Sequence, residues 1–116
     1  VGFAQLRLNH TADGVVGASP AELNRIYVRS DWHGRGVAQE LMRAAFAAAA
    51  EAGCDCLWLG VWERNPRAIA FYRKSGFSVV GEHSFLLGQD RQRDLVMLTR
   101  IGRQKRTTQT VRRTEQ

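Results

Sequence analysis

Residues 26–38 read Ile26-Tyr27-Val28-Arg29-Ser30-Asp31-Trp32-His33-Gly34-Arg35-Gly36-Val37-Ala38. A β-branched and aromatic run gives way to a turn with two glycines and then to the start of an alanine-dominated segment. That order reads strand, tight connection, helix. Val37–Ala52 is the firmest helix in the chain, because alanine loses no side-chain entropy on winding, and Gly53 supplies a left-handed stop. Its apolar positions spread broadly, so the helix is expected to lie against a sheet with little of its circumference in water. The glycines let backbone approach a ligand closely, and the first amides of the helix face outward with the dipole behind them. A phosphate or pyrophosphate suits such a place. The same Gly34 and Gly36 also read as a plain tight turn. The spacing is neither the dinucleotide fingerprint nor a P-loop.

Upstream, Glu22–Arg29 reads as the strand feeding this turn. Its apolar residues Leu23, Ile26 and Val28 slip out of alternation, which a bulge near Asn24 or Arg25 would absorb and a helical turn would also explain. Val1–Leu8 is an earlier strand, joined to it by a polar, glycine-containing connection from Asn9 to about Ser19. Downstream, Cys54–Trp62 is almost continuously apolar, as expected of a central parallel strand covered on both faces. Asn65-Pro66 opens a second helix, with Asn as cap and Pro where its missing N–H costs nothing, running to about Ser75 before Gly76. Phe77–Gly81 and Ser84–Leu87 form a strand or bulged strand pair. A Gly88–Arg93 turn leads to a last strand, Asp94–Ile101.

The 116 residues allow one domain. With 44% hydrophobic and 24% charged residues the chain is globular in composition. The net charge is +6, but residues 103–116 hold +4 of it, leaving +2 for residues 1–102. The basic character therefore belongs to a tail, expected to be mobile and disordered, and not to the body. No run of apolar residues reaches membrane-spanning length, and no signal core stands at the start, so the reading is a soluble protein without a membrane partner. Cys54 and Cys56 are too close for an ordinary disulfide and lack a second Cys or His pair for zinc; a reducing, cytoplasmic setting and no metal follow.

The segment Asn65-Pro66-Arg67-Ala68-Ile69-Ala70-Phe71-Tyr72-Arg73-Lys74-Ser75-Gly76-Phe77 puts Ala68 and Tyr72 on one helix face, a small residue beside a phenol. Tyr72 alone also reads as an ordinary packed aromatic, and Asn65 as a helix cap. Taken together with His33-Gly34-Arg35-Gly36-Val37-Ala38, this segment resembles the acetyl-coenzyme A acetyltransferases of the GNAT superfamily. Asn65, Ala68, Tyr72, Gly76 and Phe77 match one family signature in full. The glycine loop matches the other except at its first position, where His33 replaces Arg or Gln.

The resemblance implies a single-domain α/β fold of the GNAT acyl-CoA N-acyltransferase type, with a mixed, twisted sheet whose central parallel strands splay to admit the coenzyme. It covers about Val1–Ile101, assigned as an acetyltransferase-like domain over residues 1–102 with a basic tail over 103–116. The chain starts at the family's third strand, so the fold is expected to lack its N-terminal part. The resemblance implies that amides of Arg35, Gly36, Val37 and Ala38 hold the pyrophosphate, with His33 and Gly34 beside it. Ile26, Tyr27 and Val28 would meet the pantetheine arm, and Asn65, Ala68 and Tyr72 would complete the cofactor-binding set. It implies Tyr72 as general acid toward the departing thiolate. Glu22, where related enzymes often carry a carboxylate, would be the general base; it also reads as a solvent-facing strand-start charge.

The implied activity is transfer of acetyl from acetyl-CoA to a primary amine of a small molecule or peptide, by direct attack in a ternary complex. The negative charge developing on the thioester oxygen needs a fixed donor, which a bulge amide can supply. The competing reading is an acyl-CoA-binding, catalytically impaired module. A sheet edge left open by the missing start would favour a homodimer. Nucleic-acid binding through the tail is not favoured, since no aromatics interleave its charges. His83 is a weaker base candidate than Glu22, and Trp58 and Trp62 read as core or as cleft lining.

Overall fold

The computed structural model describes residues 1–12 and 14–101; the tail expected over 103–116 lies outside the described residues. The chain forms β1 (Gly2–Leu8), β2 (Pro20–Val28), a 3-10 turn (Ser30–Trp32), α1 (Val37–Glu51), β3 (Cys56–Trp62), α2 (Pro66–Lys74), β4 (Ser78–Leu87) and β5 (Asp90–Arg100). The strands make one mixed sheet in the order β1-β2-β3-β5-β4, in which only β2 and β3 run parallel.

The slip in the β2 pattern is a bulge. Gln5 faces Arg25 and the next pair is Leu6 with Leu23, so Asn24 is the extra residue, and its side chain donates to Gln5 Oε1 at 3.3 Å. The bulge lets Ala21 and Leu23 point into the core and still leaves Ile26 and Val28 on that side further along.

Both helices cover one face of the sheet. Met42, Ala45 and Ala49, three and four apart on α1, pack with Leu57, Leu59 and Val61 of β3, Phe77 and Met97. Ile69, Phe71 and Tyr72 of α2 join the same cluster. The rest of α1 departs from expectation, because Ala44, Ala47, Ala48 and Ala50 are exposed. Their methyl groups serve helix propensity, not burial, and one stripe suffices to dock the helix.

The second face is covered differently. Cys56, Trp58, Val96 and Leu98 form a smaller cluster with Ala12 and Val15 of the connection between β1 and β2. The Ala18 and Ser19 amides donate to the Asp55 carboxylate at 2.9 and 3.1 Å, anchoring the connection where β2 begins. Cys54 and Cys56 are buried free thiols belonging to different clusters.

The last two strands form one long hairpin. β4 is continuous through a register shift between Val79 and Gly81, and β5 begins at Asp90, so the turn is much shorter than the Gly88–Arg93 expected. Charged residues there made the strand look like a loop. Arg93 shows why it is not: its guanidinium reaches Glu63 Oε1 at 2.7 Å and Glu82 Oε1 at 3.0 Å, clipping the hairpin to the end of β3. Among the described residues no helix is long and apolar enough to cross a membrane.

Candidate active site

The parallel ladder between β2 and β3 is three residues long: Pro20 with Cys56, Ala21 with Leu57, Glu22 with Trp58. Beyond Glu22 both strands continue, β2 to Val28 and β3 to Trp62, without pairing to each other. The bulge at Asn24 bends β2 just past this point, which accounts for the divergence. A wedge opens, one wall being the unpaired edge of β2.

A cleft of about 420 Å³ runs from Ile26 and Val28 of β2 to the start of α1, lined there by Trp32, His33, Gly34 and Gly36–Gln39, with Arg67 and Phe71 of α2 opposite. Gly34 and Gly36 have φ of 81° and 80°, a conformation that side chains disfavour, and a Cβ on either would project into open space. Gly36 is the N-cap of α1 and brings no side-chain cap. The first intrahelical bond is Glu40 N–H to Gly36 O, 3.1 Å. The amides of Val37, Ala38 and Gln39 are thus the free donors of the first turn, on residues that all line the cleft. Such an arrangement holds an oxyanion.

Side chains brace this mouth. His33 Nε2 lies 2.9 Å from the Val28 carbonyl; since a carbonyl only accepts, Nε2 carries the proton. Arg29 grips Asp31 with two bonds of 2.8 Å, which holds the Asp31 carboxyl below its ordinary range. The Arg35 guanidinium lies over the Trp32 ring, 4.6 Å from its centroid.

The remaining sequence candidates divide among three places. Tyr27 is half exposed on the opposite face of β2, its ring 5.7 Å from that of Phe3. Asn65 caps α2, accepting from the Ala68 amide at 3.3 Å, and Ala68 packs on the core. Tyr72 packs edge-on to Phe71 and Phe77, at 5.6 and 5.9 Å, and burial pushes its phenol up so that it keeps its proton. It is not among the residues lining the 420 Å³ cleft.

Glu22 stands at the apex of the wedge, the last residue of the parallel ladder. Its side chain is only 15% exposed, and its Oε1 is buried without a hydrogen bond among the described residues. Arg7 Nε and His10 Nε2 approach that oxygen at 3.8 and 3.7 Å. Sequence reasoning passed over His10, and also Trp32, Gln39 and Arg67 in the cleft; Phe71, which reads from the sequence as core, packs there and lines the cleft as well. For Arg67 a signal existed: it is the second residue of α2, between the singled-out Asn65 and Ala68. Among the described residues no group of His, Cys, Asp and Glu side chains is arranged to hold a metal ion.

Comparison with known proteins agrees with this architecture. The family model for the acetyltransferase (GNAT) family matches residues 1–77. An uncharacterized N-acetyltransferase of Mycobacterium tuberculosis is 37% identical over 101 residues, 87% of this chain and 60% of its own length. One from Lactobacillus delbrueckii subsp. lactis is 35% identical over 96 residues, 83% of this chain and 56% of its own. The chain therefore spans somewhat more than half the length of the curated relatives it matches. Among solved structures, nourseothricin acetyltransferase superposes with a TM-score of 0.65 at 31% identity, covering 72% of this chain and 51% of that one. A family match spanning well over half of the chain, on a sheet that splits between its two parallel strands, places this protein in the GNAT acetyltransferase family.

Proposed function

We propose that the chain carries the coenzyme-binding and acetyl-transfer half of an acetyl-CoA-dependent N-acetyltransferase acting on a primary amine of a small molecule or peptide. The observation that carries this reading is the three-residue parallel ladder that parts at Glu22 and leads through a cleft to the uncapped amides of α1. The fit is chemical. Diphosphate oxygens meet the Val37–Gln39 amides and the positive end of the helix, with Arg67 across the cleft. An amide-containing pantetheine arm meets the unpaired edge of β2 at Ile26–Val28, as an added strand would.

Acetyl-CoA supplies an activated acetyl group as a thioester. In this reading the Glu22 carboxylate takes the proton from the incoming ammonium, freeing the lone pair that forms the new C–N bond. A backbone amide at the Asn24 bulge faces the charge that develops on the carbonyl oxygen. Tyr72, kept protonated by burial, gives its proton to sulfur as the C–S bond breaks, and the second proton lost by the acetylated nitrogen restores the phenol. His33 braces the turn instead of touching the amine. Residues 1–102 act as the functional unit, and the free buried thiols suit a reducing, cytoplasmic setting.

A second reading, a coenzyme-binding module without turnover, is favoured by one observation: Tyr72 packs among Phe71 and Phe77, off the cleft lining. Thiol release from acetyl-CoA with a panel of primary amines, beside direct acetyl-CoA binding, separates the two. Binding with amine-dependent thiol release supports the enzyme, with Tyr72→Phe slowing turnover at unchanged coenzyme affinity. Binding with no release across the panel supports the module. Absence of binding contradicts both.

A further inference from the structure

The connection between β1 and β2 does more than join two strands. It crosses the second face of the sheet and places His10 beside the apex of the wedge. The Trp58 indole Nε1–H donates to the His10 carbonyl at 2.6 Å, and the two rings lie nearly parallel, 7° apart with centroids 6.3 Å apart. Trp58 is itself the ladder partner of Glu22. The His10 ring is thus fixed by the residue next to the carboxylate.

One ring atom has two opposed neighbours. His10 Nε2 lies 3.3 Å from Arg7 Nη1 and 3.7 Å from Glu22 Oε1. A guanidinium only donates, so in the contact with Arg7 the imidazole nitrogen must be the acceptor, on a neutral ring with its proton on Nδ1. Protonation turns the same nitrogen into a donor. It is then repelled by Arg7 and drawn to the Glu22 oxygen, which has no hydrogen bond among the described residues. Imidazole is the side chain that changes charge between about pH 5 and 8.

We infer that His10 is a pH-responsive positioning residue for Glu22: as imidazolium it pairs with Glu22 Oε1 and occupies the oxygen, and as neutral imidazole it turns to Arg7 and leaves that oxygen without a hydrogen bond among the described residues, with only Arg7 Nε near it at 3.8 Å. The charged groups facing His10 among the described residues are Arg7 on β1 and Glu22 on β2. The pairing rests on the geometry alone. Its consequence for proton transfer rests on the reading of Glu22 as the proton acceptor.

The test of the pairing itself needs no acceptor substrate. Carboxyl- and ring-carbon NMR of the whole chain across pH 4 to 9 follows Glu22 and His10 separately. Beside the inflection of its own ionisation, the Glu22 carboxyl carbon should show a second inflection that coincides with that of the His10 ring. That inflection should be lost in His10→Gln and also in His10→Phe, which keeps a flat ring against Trp58. Amide spectra matching the wild type away from the site show that each variant is folded. A Glu22 curve without that inflection, or one that keeps it in both variants, overturns the pairing. If the inflection behaves as expected but Glu22→Gln leaves turnover intact, the pairing stands and the role of Glu22 as proton acceptor falls.

Discussion

The two halves of β2 have opposite fates although they are one strand. Over Pro20–Glu22 it is bonded on both sides, to β1 and β3, and Ala21 is fully buried. Over Arg25–Val28 it is bonded to β1 alone, and Ile26 and Val28 line a cleft. The first half uses its backbone for the fold and the second leaves one edge for a ligand. A single inserted residue, Asn24, separates them. An open edge inside a sheet is normally a hazard, and here it is sheltered because α1 and α2 flank it.

Glu22 sits on the boundary, so replacing it should have the largest effect. Glu22→Gln should lower kcat/KM for amine acetylation by about 10²- to 10⁴-fold, the usual contribution of a placed proton acceptor. Acetyl-CoA affinity should hold, since the cleft lies beyond it. Steady-state kinetics beside a binding isotherm would check both. A parallel loss in binding would mean that the two halves are not separable.

In the zipped half, Leu57 is the fully buried ladder partner of Ala21. Leu57→Ala should cost about 2–5 kcal/mol by removing buried methyls and leaving a cavity, measured by urea unfolding. In the open half, Gly36→Val has space for its side chain but not the backbone conformation. It should cost about 1–2 kcal/mol in the same measurement, and weaken acetyl-CoA binding where Leu57→Ala does so only through global unfolding.

The smallest effect concerns the strap that reaches the zipped half. Burial opposes ionisation of Asp55, but hydrogen bonds from the Ala18 and Ser19 amides outweigh it and hold its carboxyl below the ordinary range. A lowered folded pKa stabilises the fold above the unfolded-chain value, and that contribution fades as pH falls through the folded one. The wild type should therefore lose stability below about pH 4 more steeply than Asp55→Asn. Thermal melts at pH 3 to 7 would show it, and parallel curves would contradict it.

Much of this was legible in the sequence because it is local. The break in alternation at Leu23, Ile26 and Val28 pointed to a bulge or a helical turn, Asn65-Pro66 to a capped helix start, and Gly34 with Gly36 to a tight turn. What was hidden depends on contacts across the chain. The Trp58 bond to His10 spans 48 residues and the Asp55 anchor 37, so no window contains both partners. The exposed alanines of α1 misled because alanine serves propensity and burial alike. The charged start of β5 misled because its partners, Glu63 and Glu82, lie on other elements.

The central claim is that the open half of β2 and the mouth of α1 receive one ligand together. Amide chemical-shift mapping with acetyl-CoA tests it most directly. Saturable shifts should concentrate at Ile26–Val28 and Gly34–Gln39, with Pro20–Glu22 and their β3 partners little changed. Saturable binding whose shifts miss both segments, or no binding at millimolar acetyl-CoA, would contradict the claim.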